Sequence, residues 1–219
     1  RAVAWPRPPA PADPEEIARR GNEDAARAMR AHMALGLPYA FIGQIDLAEA
    51  AAAGPVASVL PSEGRLLFFY DNAVGPWETG TRTARVIWDT TPAEELLSVA
   101  MPEDLAGAAA REQAELAKLD AELGSEGEAS GREGTIYGAP AQARILRQTY
   151  RLPQAAAIEI NALPSELTAI LAGRTDGEDA DDLRDAYEEA LQAHHDGHPD
   201  ESWRRQQILG SPMPEQHDP

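Results

Sequence analysis

The residues best suited to metal chemistry lie near the end of the chain, in the segment HHDGHPD at 194–200. His194 and His198 are four residues apart, and His195 and His198 are three apart. Either spacing places two imidazoles on one side of a helix, where both can ligate the same metal ion. A third ligand would have to come from Asp196, Asp200 or His217.

The same segment also fits a helix end without any ligand. Gly197 and Pro199 break a helix, so they oppose the continuous turn that the histidine spacings require. Histidines at a helix C-terminus interact favourably with the helix dipole and with solvent. The sequence therefore favours no metal and no cofactor. A metal-dependent enzyme using His194, His195 and His198 is the alternative.

Other candidate sites are weaker. The acidic run at 176–182 lacks the ligand order of a calcium loop, which favours a solvated helix start. Asp46 and Gln44 are either a polar pair in a cleft or, as the better interpretation, Asp46 is a helix cap. The nucleophile elbow, Walker A, H-E-x-x-H and Rossmann glycine patterns are missing. The catalytic residues are therefore unknown, and the sequence favours a non-catalytic protein.

Charge and composition narrow the class of protein. The net charge of −18 over 219 residues opposes nonspecific binding to nucleic acid or anionic membranes and allows a basic protein partner. The chain has no cysteine, which excludes disulfides, thiolate nucleophiles and Cys-ligated zinc. No apolar run is long enough for a membrane span, and residues 1–14 lack an apolar signal region. The cytoplasm is the expected location.

The elements that would position a site are organised around residues 41–70. Within this stretch, RLLFFY at 65–70 is apolar at five successive positions and holds two of the chain's three phenylalanines. Such a strand is normally covered on both faces, so we predict a central, fully buried strand. Further strands are predicted at 39–47, 84–88 and 145–152.

Helices are predicted on both sides of these strands. One begins at the cap Asp13 or at a competing cap, Asn22, and ends at Gly36. Others are predicted at 47–53, 102–123 and 181–195, the last with one apolar face. The sequence TPAE at 91–94 has the form of a capping box and predicts a further helix start.

Two segments are expected to be less ordered. Residues 1–14 hold five prolines and should be extended and loosely attached, with Trp5 as the possible anchor. Residues 124–134 are rich in Gly, Ser and Glu and are predicted to form a flexible surface loop. No internal repeat or clear boundary interrupts the chain, so we predict a single domain over 1–219.

Several segments resemble the bacterial YwqG-like family, a domain of unknown function. They are PYAFIGQIDL at 38–47, LPSEGRLLFFYD at 60–71, Trp77, and QILGSPMPEQ at 207–216. The resemblance implies an α+β fold in which helices flank an antiparallel β-sheet. It implies no catalytic residue, because the family has none established.

The chain also departs from the pattern of that family. Ser211 replaces an aromatic residue, and Gln207 replaces a histidine. The family's second half, with its own L-L-Q-I and W-G-D-x-G-x-L-Y-F strands, has no counterpart in these 219 residues, so we expect that it is lost, unobserved or located elsewhere. The acidic charge, the missing catalytic patterns and a family without assigned chemistry lead to a non-catalytic protein-binding module, adaptor or immunity-like, as the predicted function.

Overall fold

A computed structural model describes residues 4–78, 80–123, 134–148, 189–193, 196–197 and 209. The chain divides into two compact units, Arg1–Gln148 and Thr149–Pro219. The predicted single domain over 1–219 stays a prediction. Nearly all described residues belong to the first unit.

The first unit is built on an antiparallel sheet of three strands in the order β1–β2–β3. The strands are β1 (Ala40–Asp46), β2 (Arg65–Tyr70) and β3 (Ala84–Asp89). β2 and β3 pair without interruption, whereas the pairing of β1 with β2 shifts between Phe41 and Gly43. With the flanking helices, this arrangement confirms the predicted α+β fold.

The central position of β2 is confirmed, but the prediction that both its faces are fully buried is wrong. Phe69 is 7% exposed, whereas Leu66, Leu67 and Phe68 are only half-buried. Because side chains alternate along a strand, Leu66 and Phe68 lie on one face of the sheet, whereas Leu67 lies with Phe69 on the other. One face receives the ring of Trp5, and the other carries exposed side chains of β3.

Both predicted helix starts near the N-terminus are used. Asp13 caps α1 (Pro14–Ala18), and Asn22 caps α2 (Glu23–Leu35). The helix from the competing cap Asn22 to Gly36 is therefore confirmed, whereas one continuous helix from Asp13 is wrong, because α1 ends at Ala18 and a new helix begins after Asn22. Gly36 ends α2 in the left-handed conformation, with φ of 56°, as its glycine predicts.

Two more helices follow the prediction. α3 (Leu47–Ala53) is capped by Asp46, whose Oδ1 accepts hydrogen bonds from the backbone N–H groups of Ala48 at 2.9 Å and Glu49 at 3.0 Å. The interpretation of Asp46 as a cap is thereby confirmed. α4 (Glu103–Leu123) matches the helix predicted at 102–123. Short 3₁₀ turns occupy Pro55–Val59, Gly75–Trp77 and Ala93–Glu95.

One predicted element is wrong, and a second is contradicted in the part that the structure describes. The capping box at 91–94 starts only the 3₁₀ turn, because the Thr91 hydroxyl donates to Asp89 at 2.6 Å instead of capping a helix. Residues 145–148 form no strand, and Ile145 is 81% exposed, so this segment lacks the packing that a sheet position would provide. Residues 149–152 lie outside the described part.

The N-terminal segment is held more firmly than its prolines suggest. The Trp5 indole N–H donates to the carbonyl oxygen of Tyr39 at 2.8 Å, and its ring meets that of Phe69 edge-on at 5.7 Å. Further along, Arg7 pairs with Asp104 of α4 at 2.6 Å. Trp5 is therefore confirmed as an anchor, and the loose attachment is wrong because additional polar contacts fix the segment.

Buried apolar side chains form two clusters in the first unit. One contains Ile17, Met29 and Val74, and the other contains Leu37, Leu105 and Ala108. In the second unit, residues 189–193 are helical and Leu191 is buried, in agreement with the helix predicted at 181–195. Asp196 and Gly197 are also helical, so the prediction that Gly197 breaks the helix is wrong. The loop prediction falls almost wholly on 124–133, outside the described part. No helix among the described residues is long and apolar enough to cross a bilayer.

Candidate functional site

The predicted metal ligands cannot be placed in the fold. His194, His195 and His198 lie outside the described residues, as do Asp200 and His217. In the part of the chain that is described, no group of three or more His, Asp or Glu side chains is arranged to hold a metal ion. The metal-dependent alternative therefore stays a prediction.

A polar cluster that the sequence did not indicate lies at the end of α2. Nε2 of His32 is 2.9 Å from Oδ1 of Asp71, and Nδ1 is 3.4 Å from the Tyr137 hydroxyl. The His32 and Tyr137 rings are stacked with centroids 5.5 Å apart. These three residues, here called the His32 cluster, join α2 to the end of β2 and to the turn at 134–138.

Asp71 is nearly buried but stays ionised. Burial alone would raise the pKa of its carboxyl, but the hydrogen bond and charge of His32 and the N–H of Val74 outweigh it, so the pKa lies below its ordinary value. Oδ1 also accepts from the N–H groups of Ala73 and Val74, each at 3.2 Å. Asp71 therefore fixes the turn that follows β2.

The chemistry open to the His32 cluster is limited. A carboxylate only accepts, so Nε2 of His32 carries the proton and donates to Asp71. Burial raises the pKa of Tyr137, which keeps its hydroxyl protonated, and this hydroxyl lies 3.4 Å from Nδ1 of His32. Since both ring nitrogens already face protein groups, the arrangement is that of a structural tie and not of a base directed at a substrate.

The second distinctive feature is an apolar surface on the sheet. Leu66 pairs with Trp88, and Phe68 pairs with Val86, so the four side chains point to the same side. Leu66 and Phe68 are half-buried, whereas Val86 is 52% and Trp88 53% exposed. We call these four residues the open face. The opposite side of β2 differs, because there Trp5 covers Phe69.

The open face is held in a defined position. The Trp88 indole N–H donates to the carbonyl oxygen of Glu63 at 3.0 Å. Gly64 lies between this carbonyl and β2 with φ of 83°, where a Cβ would come within 2.6 Å of the Asp89 carbonyl oxygen. Only glycine fits this approach without strain. The half-exposed indole is therefore oriented by the backbone beside it.

Several acidic residues lie on the segments that adjoin the Trp88 end of the sheet. At this end, Asp46, Arg65 and Asp89 pair across the three strands, with their side chains on the opposite side of the sheet from the open face. The two buried residues, Arg65 and Asp89, form an ion pair at 3.4 Å. Further carboxylates on adjoining segments are exposed to solvent, and together with Asp46 they form what we call the acidic rim: Asp46, Glu49, Glu63, Glu94 and Glu95.

The comparison with known families covers almost the whole chain. The family described as Domain of unknown function (DUF1963) matches residues 4–219. The chain belongs to this family. No curated protein and no solved structure matches it. The expectation of a domain of unknown function is thereby confirmed.

Within this DUF1963 chain, the segment LPSEGRLLFFYD at 60–71 builds much of both features. It supplies Leu66 and Phe68 to the open face and Asp71 to the His32 cluster. Its resemblance to a known family was therefore the signal that could have indicated these residues. His32 and Tyr137 had no such signal, because they meet Asp71 only through the fold.

Proposed function

We propose that this DUF1963 chain is a non-catalytic protein-binding module whose contact surface is the open face. The observation that supports this most is the exposure of Val86 and Trp88, two apolar side chains on a regularly paired strand. Burial of apolar side chains of this kind drives protein association, and Trp is among the residues that dominate binding energy. The Trp88–Glu63 hydrogen bond orients the indole before binding, which lowers the entropy cost of association.

We further propose that the partner is a basic protein. The segments that carry the acidic rim adjoin the Trp88 end of the sheet, and the whole chain has a net charge of −18. Lys or Arg side chains around an apolar patch of the partner would complement this surface and speed the encounter. The same charge opposes a second copy of the chain in this position, since two acidic rims would repel each other.

The enzyme alternative has less support in the described residues. The His32 cluster presents no free ring nitrogen, and His194, His195 and His198 cannot be placed. An adaptor or immunity-like role, a YwqG-like subgroup and a bacterial cytoplasmic location are finer proposals that rest on the sequence motifs. A metal-dependent activity would require a stoichiometric metal, which is tested below.

The test uses matched variants of the full chain. Val86→Lys changes the open face, and Val56→Lys makes the same change at a valine that is 54% exposed but lies in the 3₁₀ turn at Pro55–Val59. Crosslinking in a lysate of the source organism should identify a protein that wild type and Val56→Lys capture and that Val86→Lys loses. That protein is then purified and titrated against each variant. If Val86→Lys and Trp88→Ser both left the affinity for the partner unchanged, the open face would not be the binding surface.

Salt dependence tests the charge of the partner separately. Attraction between exposed charges is screened within about 8–10 Å near physiological ionic strength. The association rate with the purified partner should therefore fall as salt rises. An association rate that does not change with salt concentration would contradict the proposal of a basic partner but not the proposed protein-binding function.

A further inference from the structure

The outer edge of β3 is open within the described part of the fold. β2 occupies one side of β3 through six consecutive residue pairs, from Arg65 with Asp89 to Tyr70 with Ala84. Among the described residues, no backbone hydrogen bond reaches positions 85–88 from the other side. Unpaired N–H and C=O groups along an extended strand are a template for one more strand.

The two outer strands of the described sheet, β1 and β3, differ in the regularity of their pairing with β2. The pairing of β1 is shifted between Phe41 and Gly43, an irregularity of the kind that twists an edge away from further pairing. β3 contains no proline, and its pairing with β2 runs without a shift. β3 is therefore the regular edge, and it is also the strand that carries the exposed Val86 and Trp88.

The geometry points to strand addition as the way in which the partner binds, an inference that rests on the proposed protein-binding function. An extended segment of the partner would lie along β3 and form main-chain hydrogen bonds with its outer edge. Its alternate apolar side chains would lie beside Val86 and Trp88, because side chains alternate along a strand. Basic residues beyond the end of this segment would face the acidic rim.

The test uses peptides selected from a random octapeptide display library on the purified full chain. Selected peptides are synthesised in two forms, each methylated on one alternate set of backbone nitrogens. Strand addition directs only one set of N–H groups to β3, so one form should bind about tenfold or more weaker and the other should bind normally. Trp88→Ser and Val86→Lys should both weaken the unmethylated peptides, and Val56→Lys should not.

The outcomes separate the inference from the function on which it rests. Binding that depends on Trp88 but responds equally to both methylated forms would overturn strand addition and leave the open face as a side-on contact surface. A selection without any peptide sensitive to Trp88→Ser or Val86→Lys would also overturn strand addition. The proposed function itself is judged by the protein partner captured with the wild-type chain.

Discussion

The indole N–H of Trp88 donates to the carbonyl oxygen of Glu63 at 3.0 Å, while more than half of the Trp88 side chain remains exposed. The bond satisfies the polar atom of the indole and leaves its apolar surface facing outward. A tryptophan held in this way is suited to contact a partner without reorganisation. This relationship connects the fold to the proposed function.

The two phenylalanines of β2 should respond differently to truncation. Phe69 is 7% exposed, and its ring lies 5.4 Å from that of Phe41. Phe69→Ala should lower the free energy of unfolding by about 3–5 kcal/mol, because it removes a buried aromatic side chain. Phe68→Ala should cost only about 1–2 kcal/mol, since Phe68 is half-buried. Urea unfolding measures both, and equal losses would contradict the unequal covering of the two faces.

The N-terminal segment should contribute to stability chiefly through Trp5. Trp5→Ala removes a half-buried ring and its hydrogen bond to Tyr39, and should cost about 2–3 kcal/mol. Arg7→Ala is the control, because the Arg7–Asp104 ion pair is largely exposed and should be worth less than about 1 kcal/mol. Thermal or urea unfolding measures both losses. If Trp5→Ala left the free energy of unfolding unchanged, the N-terminal segment would not be part of the folded unit.

Local signals were sufficient to predict much of the fold. The caps Asp13, Asn22 and Asp46 each bond to backbone groups within three residues, so the sequence nearby determines them. Local signals could not predict which face of β2 is buried and which is exposed. This difference depends on Trp5, which is 64 residues from Phe69 in sequence, and on the exposure of β3.

The candidate site was predicted less well, for the same physical reason. His32 and Tyr137 are 105 residues apart, and neither forms a recognisable pattern with its sequence neighbours. The histidines that do form such a pattern, at 194–198, fall on positions that the described fold does not include. Val86 and Trp88 share a face because they are two residues apart in the predicted strand, but their exposure depends on what packs against the sheet.

The stability of the first unit should depend on the ionisation of Asp71. Its folded pKa lies below the ordinary carboxyl value of 3.8. Ionised Asp71 therefore stabilises the fold above that value, and the contribution is lost as the pH falls through the lower folded pKa. Asp71→Asn should be less stable than wild type at neutral pH, and the difference should shrink as the solution is acidified.

Urea unfolding of wild type and Asp71→Asn from pH 7 down to about pH 2.5 measures this difference. His32→Gln is a useful companion, because it removes the imidazole while retaining a donor. If the stability gap between wild type and Asp71→Asn were constant over this range, the depressed pKa of Asp71 would be refuted.

The histidine segment should bind no structural metal. Two imidazoles without a defined third ligand make an incomplete zinc site. Elemental analysis of protein purified without an affinity tag should find less than stoichiometric zinc. A stoichiometric metal that is lost on His198→Ala would contradict this prediction and favour the metal-dependent enzyme.

The affinity of the captured partner for the matched valine variants tests the central claim most directly. Titration calorimetry with wild type, Val86→Lys and Val56→Lys compares the same substitution at two valines of nearly equal exposure, 52% and 54%. We predict that Val86→Lys weakens binding about tenfold or more, which corresponds to about 1.4 kcal/mol, and that Val56→Lys leaves it unchanged. Equal affinities of all three proteins would contradict the open face as the binding surface.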